Sequence, residues 1–169
     1  MANHDNSNTG FSWFNPIHLL AFGLGAGKAP VIPGTFGSLP AIPLYFLLED
    51  LNIWLYLGVI FVMFIIGVYV CHITSRDMGV HDHSGIVFDE IVGMLITYIA
   101  LPAGWVWLVT GFVLFRIFDI WKPFPIRQVD KNMGGGMGIM FDDVLAGIYA
   151  LLTLQAIYHG MDYFNVINI

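Results

Sequence analysis

Residues 53–74 read IWLYLGVIFVMFIIGVYVCHIT and contain no Asp, Glu, Lys or Arg. An uncharged, mostly apolar stretch of about 20 residues has the length of a helix that crosses the ~30 Å hydrocarbon core of a bilayer. This stretch therefore predicts a transmembrane helix, and it makes a membrane protein the starting hypothesis for the whole chain.

Four further apolar stretches flank it, at residues 36–48, 86–101, 105–121 and 140–159. Of the 169 residues, 57% are hydrophobic and 11% are charged, whereas a typical soluble domain carries about 25% charged residues. We therefore predict an all-α, polytopic membrane bundle of about five transmembrane helices, preceded by a short N-terminal interfacial helix at residues 16–27. Four crossings with one re-entrant segment are the alternative.

The connections between these stretches differ in their content of basic residues. Lys and Arg precede the first stretch, follow the second, and lie between the fourth and fifth, at Lys28, Arg76, Lys122, Arg127 and Lys131. The connections at 49–52 and 101–104 contain none. By the positive-inside rule, five crossings then place the N-terminus in the cytoplasm and the C-terminus outside.

The remaining composition limits the domain organisation and the partners. Residues 1–12 predict a polar, loosely ordered N-terminus, and residues 13–169 predict a single transmembrane domain. The net charge of −6 argues against a nucleic-acid partner, which requires a basic surface. The sequence leaves the oligomeric state open.

Carboxylates lie inside or at the ends of the apolar stretches, at Asp89, Glu90, Asp119, Asp142 and Asp143. A charged side chain near the bilayer centre costs roughly 2.5–3.5 kcal/mol, so such residues usually pair, line a wet cavity or bind a cation. In the five-span topology all of them lie at cytoplasmic helix ends and converge on one membrane face. Clustered carboxylates favour Mg²⁺ or Mn²⁺. Helix capping is the alternative for Asp142.

Basic and glycine-rich segments are candidates for binding a phosphate group. Arg116, Asp119 and Lys122 recur on nearly one helix face, where they form either an intrahelical ion pair or a metal-and-phosphate site. Glycines at 23–38 and 132–140 lie beside helix starts, where backbone N–H groups bind anions. Thr35 and Ser38 are predicted to cap the first helix or to donate hydroxyls to a phosphate.

For three histidines and one aspartate the sequence favours structural roles. His81, Asp82 and His83 lie in a segment (77–85) that predicts a polar connector with a helix cap, and a supporting or acid–base role at the site is the alternative. His18 is predicted to be an interfacial residue.

Four blocks resemble a known family, and together they cover most of the chain. They are GKAPVIPGTFGSLPAIP (27–43), CHITSRDMGVHDHSGIVFDEIVGM (71–94), FVLFRIFDIWKPFPIRQVD (112–130) and GGMGIMFDDVLAG (135–147). In this order they resemble phosphatidylglycerophosphatase A of bacterial inner membranes. The resemblance implies a Mg²⁺-dependent, multi-pass lipid phosphatase with its active site facing the cytoplasm. It would convert phosphatidylglycerophosphate to phosphatidylglycerol and inorganic phosphate.

The family motifs fall on the residues singled out above. The DE block corresponds to Asp89 and Glu90, the RxxDxxKPxP block to Arg116, Asp119 and Lys122, the DD block to Asp142 and Asp143, and the GTxGS block to Gly34, Thr35, Gly37 and Ser38. The predicted catalytic and metal-binding residues are Asp89, Glu90, Asp119, Asp142 and Asp143. The predicted phosphate-binding residues are Lys28, Thr35, Ser38, Arg116 and Lys122.

These residues leave open the mechanism of hydrolysis and the functional class of the protein. Direct attack of water on phosphorus is favoured over an aspartyl-phosphate intermediate. The alternative function is a small ion- or proton-coupled transporter that uses the same carboxylates. A CDP-alcohol phosphotransferase is disfavoured because its DGxxAR pattern is absent.

Overall fold

The structure, a computed structural model, describes residues 10–80 and 83–164, apart from the side chains of residues 130 and 131. The predictions for His81, Asp82 and most of the polar N-terminus lie outside these described residues. Within them, every regular element is helical. The elements are α1 (Pro16–Ala21), a 3₁₀ segment (Gly23–Lys28), α2 (Pro33–Ser38), α3 (Ala41–Leu48), α4 (Ile53–Met78), α5 (Phe88–Thr97), α6 (Trp105–Trp121), α7 (Ile126–Asn132) and α8 (Gly135–Tyr163).

The longest predicted crossing forms α4, a helix of 26 residues with defined ends. At its start the Asn52 side chain accepts a hydrogen bond from the backbone N–H of Leu55, which satisfies a helix-end donor. At its end Gly79 adopts a left-handed conformation with φ of 69° and donates its N–H to the carbonyls of Arg76 and Ser75. Glycine takes this conformation without a steric penalty.

Two of the described helices, α4 and α8, are long and apolar enough to cross a membrane. They correspond to the second and fifth predicted crossings. By contrast, α3 and α5 have 8 and 10 residues, which is about 12 and 15 Å at 1.5 Å per residue. The helical class is therefore confirmed, and the number of crossings stays a prediction.

The predicted first crossing begins earlier than expected. GTFGS lies within α2, whose first residue is Pro33, a favoured position for proline. Leu39 and Pro40, which separate α2 from α3, both keep right-handed helical dihedral angles. Residues 33–48 therefore form a nearly continuous helical rod.

The centre of the bundle is α5, in which every residue is buried. It packs against α4, α6 and α8. The close approach of α5 and α8 depends on two glycines, since a Cβ on Gly147 would collide with the carbonyl of Gly93. A helix surrounded in this way contacts protein on all sides, which explains why its apolar residues are shielded inside the bundle.

His18, for which the sequence predicts an interfacial location, is fully buried within the protein. Its ring nitrogens lie 3.1 Å from the Ser12 carbonyl and 3.2 Å from an Asp77 carboxylate oxygen. Asp77 also pairs with Arg76 at 2.9 Å. These contacts attach α1 to the end of α4, and they explain the burial because both ring nitrogens have polar neighbours.

The glycine contact between α5 and α8 predicts a difference between two substitutions on the same helix. Gly147→Ala should destabilise the protein by about 2 kcal/mol, because the added methyl group overpacks a backbone contact. Gly160→Ala is the matched control, since a Cβ there meets nothing within 4 Å, and it should be neutral or stabilising by up to about 1 kcal/mol. Thermal unfolding in detergent measures both. Equal melting temperatures would contradict the α5–α8 packing.

Candidate active site

One open cavity of about 310 Å³ collects residues from four helices. It lies where α2 and α5 begin and α6 ends, beside Asp142 and Asp143, which lie about two turns inside α8. The helix-cap alternative for Asp142 is wrong, because the N-cap residue of α8 is Gly134. All five predicted carboxylates line it together with two predicted phosphate-binding residues: Asp89, Glu90, Asp119, Asp142, Asp143, Arg116 and Lys122. The five carboxylates, which are separated by up to 54 positions from Asp89 to Asp143, are thus brought to one site.

Arg116 connects α6 to α5. Its Nη1 lies 2.7 Å from a carboxylate oxygen of Asp119, one turn further along α6, and 3.1 Å from Oε1 of Glu90 on α5. The intrahelical pair that the spacing suggested is therefore present, and it extends to a second helix. All three side chains are largely shielded from solvent, where charge pairing is stronger than at an open surface.

Lys122 connects the end of α6 to α8. Its ammonium group lies 2.5 Å from Oδ2 of Asp142. Lys122 adopts a left-handed conformation with φ of 46° at the C-cap of α6. With Arg116 and Lys122 as the two cations and five carboxylates on the wall, the formal charge of the ionised cavity is 2 − 5 = −3.

Asp143 is the most enclosed carboxylate of the cavity, with 3% of its surface exposed. It interacts electrostatically with the other four acids, Asp119, Asp89, Asp142 and Glu90. Its backbone N–H donates to Oδ1 of Asp142 at 3.0 Å, which orients the neighbouring carboxylate. Among the ion pairs of the described residues, none includes Asp143.

Ser38 lies behind Glu90 and does not line the cavity. It is fully buried, and its Oγ is 2.8 Å from both Oε2 of Glu90 and the carbonyl oxygen of Gly34. Nη1 of Arg116 lies 3.4 Å from the same hydroxyl. Gly34 itself lines the cavity, and a Cβ there would collide with Glu90 and crowd the Arg116 guanidinium group. The GTFGS motif therefore positions Glu90 and Arg116.

Two other predicted phosphate-binding residues lie apart from the cavity wall. Lys28 has its ammonium group 4.0 Å from the centroid of the Trp13 ring, a cation–π contact. Thr35 lies in the first turn of α2, next to Gly34. In the opposite direction, Ser84 lines the cavity although the sequence assigned its segment to a connector. Its position five residues before Asp89 is the signal that could have indicated it.

The carboxylates on the cavity wall are suitable ligands for a hard divalent cation. Five carboxylates, with no His or Cys on the described wall, supply the oxygen ligands that Mg²⁺ and Mn²⁺ prefer. Within the described part of the chain, however, no three His, Cys, Asp or Glu side chains are arranged to hold one ion together. Glu90 and Asp119 are paired with Arg116, and Asp142 is paired with Lys122, so these pairs would have to rearrange around a bound cation.

Comparison with known proteins supplies the family. The chain matches the family model for phosphatidylglycerophosphatase A over residues 19–158. It belongs to the phosphatidylglycerophosphatase A family. The resemblance carried by the four sequence blocks is thereby confirmed, as is the prediction that the protein is a phosphatase.

Two members of this family show how far the similarity extends. Phosphatidylglycerophosphatase A of Escherichia coli strain K12 is 54% identical over 146 residues, which cover 86% of this chain and 85% of that protein. Phosphatidylglycerophosphatase A of Haemophilus influenzae is 49% identical over 152 residues, which cover 89% of this chain and 93% of that protein. No solved structure matches the chain.

Ser38 contacts Glu90 and does not line the cavity. We therefore predict that replacing Ser38 lowers activity without removing a ligand of the phosphate. Ser38→Ala removes the hydroxyl beside Glu90 and should lower kcat/KM about tenfold, because a hydrogen bond to a charged group contributes about 1.5–3 kcal/mol. Thr110→Ala is the control, since the Thr110 hydroxyl bonds only within α6, to the carbonyl of Val106. Steady-state phosphate release measures both, and an unchanged Ser38→Ala enzyme would refute the positioning role.

Proposed function

We propose that the protein hydrolyses the terminal phosphomonoester of phosphatidylglycerophosphate and releases phosphatidylglycerol and inorganic phosphate. The observation that carries the proposal is the convergence of five carboxylates, Arg116 and Lys122 in one cavity. Two relatives that align with most of the chain are phosphatidylglycerophosphatases A, which supports this substrate. Family membership favours a hydrolase over the transporter that was the alternative.

The two cations would bind the transferred phosphoryl group. Arg116 can hold two non-bridging oxygens at once, and Lys122 acts as a point charge. Both lie on the cavity wall beside the acids, so the developing negative charge meets fixed positive groups. In phosphoryl transfer, positioning and electrostatic stabilisation supply most of the rate enhancement.

The carboxylates would divide into cation ligands and a base. Glu90 and Asp142, together with Asp89 or Asp119, would hold Mg²⁺ or Mn²⁺, which supplies Lewis acidity when it is bound. Asp143 would accept the proton of the attacking water, since it lies on the wall without a described ion pair. The new bond joins the water oxygen to phosphorus while the bond from phosphorus to the glycerol oxygen breaks, and the proton accepted by Asp143 would pass to the leaving oxygen and regenerate the carboxylate.

The cavity would lie at the depth of lipid headgroups on the cytoplasmic side of a bacterial inner membrane. It forms at the starts of α2 and α5 and the end of α6, and the described bundle contains two helices of membrane-crossing length and composition, α4 and α8. A lipid phosphate at that depth reaches the site while its acyl chains stay in the bilayer. The basic connections after α4 and α6 support the cytoplasmic orientation.

The proposed reaction predicts the effect of metal removal and of one carboxylate substitution. The purified protein should release phosphate from phosphatidylglycerophosphate with Mg²⁺ and lose this activity in EDTA. Asp143→Asn should lower the rate by at least ~100-fold, as loss of a general base does. Asp162→Asn is the control, because Asp162 is exposed near the far end of the same helix. A folded wild-type protein that releases no phosphate would refute the proposal.

The proposed orientation predicts on which side of the membrane the end of α8 and the connection between α6 and α7 lie. A reporter active only in the periplasm should be active when fused after residue 164, beyond α8. The same reporter inserted in the connection between α6 and α7 should stay inactive. Activity of the second fusion would place the acidic cavity on the outer face and contradict the cytoplasmic site.

A further inference from the structure

A second, larger cavity of about 690 Å³ adjoins the acidic one and shares Lys122 with it. Its described wall consists of Trp121, Lys122, Pro123, Phe124, Arg127 and Gln128. This wall carries two cations and an amide and no carboxylate, whereas the acidic cavity carries five carboxylates. Lys122 is already paired with Asp142, so it is Arg127 that gives the outer cavity its positive charge and makes it favour an anion.

The outer cavity is built on a short turn that the bundle holds in place. After Lys122 ends α6, residues 123–125 turn the chain into α7, where Ile126 is fully buried. The Tyr149 hydroxyl on α8 donates to the carbonyl of Phe124 at 3.1 Å. The cationic side chains are thus presented from an anchored segment, which lowers the entropic cost of binding.

The rim of the outer cavity suits a membrane interface. Trp121 and Phe124 line it with 73% and 75% of their surface exposed. Aromatic side chains collect at the headgroup depth of bilayers. Arg127 and Gln128 are exposed beside them, so a lipid in the membrane plane can present its headgroup to this wall.

The chemistry of the proposed substrate matches two adjoining cavities. Phosphatidylglycerophosphate has a terminal phosphomonoester and, one glycerol away, a phosphodiester joined to the diacylglycerol. A monoester in the acidic cavity leaves the diester beside Lys122, at the entrance of the outer cavity. An arginine is well suited to such an anion, because its planar guanidinium group donates two parallel hydrogen bonds.

We propose that the outer cavity is a subsite for the substrate's phosphodiester, with Arg127 as its main ligand and Gln128 as a second donor. This inference rests on the proposed function. The subsite would make Arg127 a specificity-determining residue, since a lipid such as phosphatidic acid has a monoester but no second phosphate. It would also retain phosphatidylglycerol, which keeps the diester after hydrolysis.

The test compares Arg127→Gln with Arg76→Gln. Arg76 is also an exposed arginine, but it lies at the end of α4, is paired with Asp77, and lines neither cavity. Arg127→Gln should raise KM for phosphatidylglycerophosphate about tenfold with kcat changed less than about twofold, the loss expected for a charge-assisted hydrogen bond. Arg127→Lys should recover part of the affinity. Arg76→Gln should match the wild type, and inorganic phosphate should inhibit all four proteins equally.

A binding measurement separates this inference from the proposed reaction. A short-chain phosphatidylglycerol, which has the diester and no monoester, should bind the wild type about tenfold more tightly than Arg127→Gln. Equal affinities, or an equal rise of KM in Arg76→Gln, would overturn the subsite. A wild-type protein that binds this lipid but releases no phosphate from phosphatidylglycerophosphate would instead refute the proposed reaction.

Discussion

The structure depends on how a few cations neutralise carboxylates in a largely buried space. Arg116 contacts Glu90 and Asp119, and Lys122 contacts Asp142. Arg116 lies in α6 and Lys122 is its C-cap residue. Their ion pairs therefore join α6 to both α5 and α8. Ionised acids in a low-dielectric interior are costly without such partners. The same contacts that make the acids tolerable therefore also determine where the end of α6 lies.

Close backbone packing makes this charge cluster compact. Gly147 and Gly93 allow α5 and α8 to touch, and these helices carry the DE and DD pairs. Gly34 allows α2 to approach Glu90 and Arg116, and Ser38 then bonds to Glu90 from behind. A larger side chain at these positions would separate the helices by the width of a methyl group or more. Small residues thus determine the spacing of the acids as much as the acids themselves do.

The cluster has a charge balance suited to the proposed reaction. A divalent cation and a doubly charged phosphate bring opposite charges that cancel, so the formal charge of the cavity would not change when both enter. The cation would take over carboxylates that Arg116 and Lys122 now neutralise, and these two residues would then be available to the phosphate. In this arrangement Arg116 and Lys122 would have an anionic partner both before and after binding, and a buried cation without a partner is costly.

The sequence identified most of the polar residues that line the acidic cavity, because residue type and spacing were enough to single them out. Acids inside apolar stretches, at Asp89, Glu90, Asp119, Asp142 and Asp143, are unusual enough to indicate function without a structure. Their convergence was predicted by placing each at a helix end, although Asp142 and Asp143 lie about two turns inside α8. The family followed from four ordered blocks, and α4 and α8 from their apolar length.

What the sequence determined by itself was therefore the helical class, two membrane-length helices, the family and the set of acids. Only the tertiary structure decided that α5 is a short buried helix, that Ser38 supports Glu90, and that His18 pairs with Asp77. It alone placed Arg127 in a cavity next to the acids. The physical reason is that hydropathy records how apolar a segment is, but not whether its neighbours are lipid or protein. Contacts between residues distant in sequence, such as Ser38 and Glu90, exist only after the helices have packed.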